Sequence, residues 1–155
     1  VLRHFEAEVI AFDSVVESME QGKVTSAYLV GGYPTGWIDD RAAAALARVA
    51  PLVVQDILPS PATAAADFVL PGGSFAEREG TFVNHAGLAQ AIEWSIRPKH
   101  QAWPDGRILF ELAGRSGLYH PPSVRREMAA TINYFAPLAA ETLDERGVLL
   151  EEKTA

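Results

Sequence analysis

Three short apolar runs, each closing on glycine, aspartate or proline, set the strongest limit on what this chain can fold into. TSAYLVGG (25–32), PLVVQD (51–56) and DFVLP (67–71) each read as a buried strand. Segments with helical character separate them. FDSVVESMEQ (12–21) puts Phe12, Val15, Val16 and Met19 on one helical face, with Asp13 or Ser14 as N-cap and Gly22 at the C′ position. DDRAAAALARVA (39–50) is alanine-rich and opens on acids, as a helix start prefers. SPATAAAD offers Ser60 as cap and Pro61 as first helical residue. Apolar runs without alternation imply strands buried on both faces, as in parallel sheets made of right-handed βαβ units. The expected fold class is α/β, a parallel sheet with flanking helices.

The second half changes character. AIEWSI and RPKHQAWPDG read as an extended crossing that packs Trp94 and Trp103 onto the first half. DGRILFELAGRSG (105–117), SVRREMAATINYF (123–135) and PLAAETLDERG (137–147) are helical candidates, a helical C-terminal extension over about 105–150. No linker divides the chain, so residues 1–155 are expected to form one domain with a buried core. The start on Val1 rather than Met suggests a fragment of a longer polypeptide.

Several function classes drop out on composition. Thirteen basic against twenty acidic residues leave a net charge of −7, the wrong balance for a nucleic-acid surface. The absence of cysteine removes thiol nucleophiles and cysteine-ligated iron–sulfur clusters from this chain. No apolar run approaches a membrane span. His4, His85, His100 and His120 are scattered without metal-ligand spacing. Gly31-Gly32-Tyr33-Pro34-Thr35-Gly36 lacks the spacing of a dinucleotide-binding loop, and Asp39 and Asp40 stand where phosphate charge would lie. Glu77 and Glu79 are two residues apart, which does not face both carboxylates the same way on a helix. Ser74 lacks a nucleophile elbow. Ligands of open α/β sheets bind at the carboxyl ends of the strands, here the loops GGYPTGWIDD, QDILPS and PGGSFAEREGT. Trp37, on the first of these, is a candidate interface residue.

In order along the chain stand LVGGYP (29–34), VVQD (53–56), AADFVLP (65–71), EREGTFVNHAGLAQ (77–90) and AWPDGRILFELAGRSG (102–117). Together they resemble the molybdopterin oxidoreductase superfamily, over roughly residues 24–117. The resemblance implies a Rossmann-like domain. In catalytic members it also implies a molybdopterin guanine dinucleotide against the strand rim. Positions matching the family pattern are Gly31, Pro34, Gln55, Asp56, Thr81, Asn84 and Gln90, with Asp56 and Gln55 beside it expected to read a guanine. Against the pattern, Gly32-Tyr33 replaces a Glu-Asn pair, Ala62 a threonine, Ala86 a glutamate and Leu88 an arginine. Leucine offers none of the five donors of a guanidinium. Within the superfamily, the chain is most similar to the C-terminal part of the G-type subunit found in NADH-quinone oxidoreductases, the respiratory complex I class. That implies a non-catalytic structural domain in an electron-transfer complex, with iron–sulfur clusters in an N-terminal part of the parent. Its partners would be the N-terminal domains of the same polypeptide and other complex subunits. The location would be cytoplasmic, peripheral to the inner membrane and without direct insertion. The alternative is one cofactor-binding domain of an active enzyme such as a formate dehydrogenase. The 77–90 segment either faces a cofactor or simply locks a hairpin against the sheet, its glycines, Gly80 among them, taking positive φ.

Overall fold

In the computed structural model, which describes residues 8–150, the apolar runs form β1 (Ala27–Val30), β2 (Leu52–Asp56) and β3 (Phe68–Pro71). They make one parallel sheet ordered β1-β2-β3. Its register rows put Tyr28, Val53 and Phe68 together, and Val30, Gln55 and Leu70 in the next row on the same face. The other face carries Leu52 and Val54 into a core with Val16 and Met19 of α1 (Phe12–Glu20), Ala42 and Leu46 of α2 (Asp40–Leu46), and Ala62 of α3 (Pro61–Ala65). Right-handed crossovers that step in one direction across a sheet put their helices on one side. That is why α2 and α3 share a face here.

The expected burial of all three strands on both faces needs correcting. Only the central strand β2 approaches it, whereas Tyr28 and Val30 of β1 and Phe68 of β3 are exposed. The helix starts are as local chemistry predicts for α2, where Asp39 accepts from the Ala42 amide at 2.7 Å, and for α3, where Ser60 and Thr63 form a capping box. For α1 they are not. Its N-cap is Ala11, with no side-chain cap, and Asp13 sits in the first turn, where the helix dipole favours a negative charge.

EREGTFVNHAGLAQ leaves a 3-10 turn (Phe75–Glu77) at Glu77 and enters an antiparallel hairpin, β4 (Gly80–Val83) and β5 (Leu88–Ile92), with β6 (Val148–Leu149) on the far side of β5. Asn84 closes the turn, its side-chain oxygen accepting from the Ala86 and Leu88 amides at 2.9 and 3.0 Å. Gly87 takes the left-handed conformation the turn requires (φ 81°). Gly80 takes the expected positive φ, at 157°, a conformation L side chains rarely adopt, so a substitution there is strained even though a β-carbon would meet open space.

The C-terminal part contains α4 (Asp105–Leu112), α5 (Pro121–Thr131) and a 3-10 helix (Asn133–Leu138). Ala129, Phe135, Leu138 and Leu150 build a second core on Ala89 of β5. The third expected helix, over 137–147, does not form. Pro137 instead belongs to the last turn of the 3-10 helix. Beyond it, the Arg125 guanidinium takes the carbonyls of Leu138, Ala140 and Glu141 that a helix would have used (3.2, 2.6 and 2.7 Å). Trp103 meets the crossing expectation in part: its backbone bridges to Gly72 at the outer end of β3. Trp94, half exposed, does not pack as expected. Among the described residues, no helix is long and apolar enough to cross a membrane. His4 lies outside the described residues.

Candidate functional site

At the carboxyl rim of the parallel sheet, Asp56 ends β2 with 6% of its surface exposed. One oxygen of its carboxylate accepts from the Ile57 amide at 2.8 Å and the Gly32 amide at 3.0 Å. Gly31 is what lets it do so. A β-carbon on Gly31 would stand 2.5 Å from the Asp56 carboxyl carbon. The first-loop glycine therefore makes room for a neighbouring side chain.

Gln55, one residue earlier, turns to the opposite face and is 1% exposed. Its carboxamide is held at both ends. The Tyr28 hydroxyl donates to Oε1, and Nε2 donates to Asp105 Oδ1 at 2.7 Å. The other Asp105 oxygen pairs with the Arg78 guanidinium, which lies 5.1 Å above the Phe82 ring. Burial pushes the Tyr28 hydroxyl up and the Arg78 guanidinium down from their ordinary pKa values. Arg78 Nε is buried with no acceptor among the described residues. The chain Tyr28–Gln55–Asp105–Arg78 thus ties the sheet to the start of α4 and to the hairpin.

Pro34 and Asp56 share a small cavity of about 110 Å³, lined also by Tyr33, Trp37, Ser60 and Pro61. Trp37 is wedged between the rings of Phe12 and Tyr33, 6.0 and 5.5 Å between centroids, and its buried indole N–H has no acceptor among the described residues. Ser60 is occupied in capping α3. Pockets that hold drug-sized ligands and cofactors run from roughly 300 to 1,000 Å³. This one is far smaller.

Gly31, Pro34 and Asp56 therefore meet at one rim, and Gln55 sits behind it. Thr81, Asn84 and Gln90 do not line that cavity. Thr81 faces a separate cleft of about 310 Å³ with Glu79, Arg125 and Glu141, Asn84 closes the hairpin turn, and Gln90 is exposed on β5. Glu77 and Glu79 form no acid–base pair. The Glu77 carboxylate accepts from the amide and hydroxyl of Ser74 at 2.9 and 2.8 Å and from the Lys99 amide at 3.2 Å. Those bonds, the Ser74 amide first, hold its pKa below the ordinary carboxylate value. Among the described residues, no His, Asp and Glu cluster could hold a metal ion.

Sequence reasoning passed over Tyr28, Arg78, Asp105 and Arg125. Two carried a signal: Tyr28 is the one hydroxylated residue within β1, and Asp105 follows Pro104 at a helix start.

Residues 6–115 match the family described as Molybdopterin oxidoreductase. "NADPH-Fe(3+) oxidoreductase subunit alpha" of Geobacter sulfurreducens is 34% identical over 131 residues, 79% of this chain and 15% of that protein. "Probable oxidoreductase YjgC" of Bacillus subtilis is 31% identical over 84% of this chain and 14% of its own length. "Putative formate dehydrogenase YrhE" of Bacillus subtilis is 32% identical over the same shares. The chain spans about 15% of the length of the curated relatives it matches.

Proposed function

Because the chain belongs to the molybdopterin oxidoreductase family, we propose that it is a non-catalytic structural domain of a protein resembling the G-type subunit found in NADH-quinone oxidoreductases. Its work is to hold shape inside an electron-transfer complex. One observation carries this reading: Gln55, which resemblance would aim at a guanine, is buried with both ends of its carboxamide bonded within the fold. The residues present do not fit a pterin nucleotide. The rim cavity is small, one Asp56 oxygen is already shared by two backbone amides, and Leu88 stands where the family pattern has arginine. Iron–sulfur clusters of the parent belong to another part of it, since this chain has no cysteine. The partners are the remainder of the same polypeptide and neighbouring subunits, on the cytoplasmic side and peripheral to the inner membrane.

A second reading, one domain of an active molybdopterin-dependent enzyme, draws on the relative named as a formate dehydrogenase and on Asp56 lining the rim cavity. Metal and pterin content of the purified full-length protein separates the two. The structural reading expects neither molybdenum nor pterin, and no formate oxidation. Stoichiometric molybdenum with a pterin, lost on Asp56→Asn, would establish the second reading instead.

A further inference from the structure

We propose that the uncovered face of the parallel sheet seats an amphipathic helix from another part of the same longer polypeptide. This deepens the reading of the chain as one part of a larger protein, and rests on it. Tyr28 (40% exposed), Val30 (47%) and Phe68 (62%) lie on this face in two register rows, around the half-buried Val53. An apolar face of this kind marks an interaction site. Parallel sheets are covered by helices on both sides.

Among the described residues, no helix supplies the cover. The residues of α1, α2 and α3 that reach the sheet all join the core on the opposite face. The start of α4 reaches this face at the carboxyl end of the strands, where Asp105 bonds Gln55, and the Tyr28–Phe68 row stays open beyond it. Relatives of which this chain spans about 15% have most of their length outside it, ample for a covering helix. A second copy is the poorer occupant. It would offer the same helix-free face, and parallel sheets are not covered by laying one on another. The fitting partner is a helix with aliphatic residues recurring at three- and four-residue spacing.

The test places the photo-crosslinker p-benzoylphenylalanine at Phe68 in the full-length protein, an aromatic-for-aromatic exchange at an exposed edge position. The expected product has the mass of the monomer and joins position 68 to a peptide outside residues 1–155. A product of dimer mass, a crosslink to another protein or within residues 1–155, or no crosslink at all would overturn the proposal. Hydroxyl-radical footprinting of the unmodified full-length protein gives a readout that needs no substitution. Oxidation of Tyr28 and Phe68 should fall to the level of Phe135, which is 3% exposed in the second core. Oxidation matching that of the unfolded chain overturns the proposal. Molybdenum measured on the same sample keeps the two readings apart. An intramolecular crosslink in molybdenum-loaded protein preserves the docking face and removes the non-catalytic role, whereas metal-free protein without a crosslink does the reverse.

Discussion

Gly31 and Asp56 are matched by steric necessity, and the match is open to test. A methyl group on Gly31 would collide with a buried carboxylate that already satisfies two backbone amides, so either the carboxylate or the strand end must move. Gly31→Ala is expected to cost on the order of 1–3 kcal/mol in urea unfolding, and Asp56→Ala, by removing the obstacle, should make that substitution cheaper. Gln55 leads to a sharper result. Gln55→Leu removes the bonds to Asp105 and to the part-exposed Tyr28, a net loss of about 0.5–1.5 kcal/mol for each. The Gln55/Asp105 double-mutant cycle should therefore show strong coupling. Glu77 supplies a pH signature. Its folded-state pKa lies below the ordinary 4.5, so its stabilisation is full above that value and is lost as pH falls through the lower, folded one. Glu77→Gln should flatten that part of the acid limb in a pH series of melting temperatures. Gln55 and Asp56 stood out in the sequence, but the partners that define their roles did not. Tyr28 and Asp105 lie 27 and 50 residues from Gln55, and nothing in residue pattern joins positions so far apart.

Helices and strands were legible where their signals are local. Ser60-Pro61 opens α3 and Asp39 caps α2 because capping is chemistry within four residues. The parallel strands showed through their apolar runs. Legibility failed where a distant side chain decides the backbone. The segment from Leu138 onward has helix-forming residues, yet Arg125, on α5, holds three of its carbonyls in a turn. That guanidinium is itself buried, and burial lowers its pKa, with Arg126 adding to the effect. Arg125→Leu is therefore expected to release the turn, and amides over 139–147 should exchange with deuterium faster than in the unsubstituted protein. Arg125→Lys should restore little, since one ammonium cannot reproduce the planar fork that spans these carbonyls. Unchanged exchange in Arg125→Leu would mean that the guanidinium does not hold this turn.

At the scale of the whole molecule, two cores share one chain. The first joins α1, α2 and α3 to β2, and the second joins β5, α5, the 3-10 helix and Leu150. No described residue belongs to both. Among the polar contacts that cross between the halves, Asp105 has a particular place, bonded to Gln55 of the parallel sheet on one side and to Arg78 ahead of the hairpin on the other. Cooperative unfolding requires that the loss of one core destabilise the other, and the Asp105 bonds are expected to carry that dependence. Leu46→Ala in the first core and Leu138→Ala in the second each remove a fully buried side chain, at about 2–5 kcal/mol. In the otherwise unaltered chain, either substitution should lower a single calorimetric transition. In an Asp105→Ala background, the transition should divide. Leu46→Ala would then move only the component belonging to the parallel sheet, and Leu138→Ala only the other. A single transition that persists through Asp105→Ala would mean that other links, such as the backbone bridge between Trp103 and Gly72, suffice for the coupling.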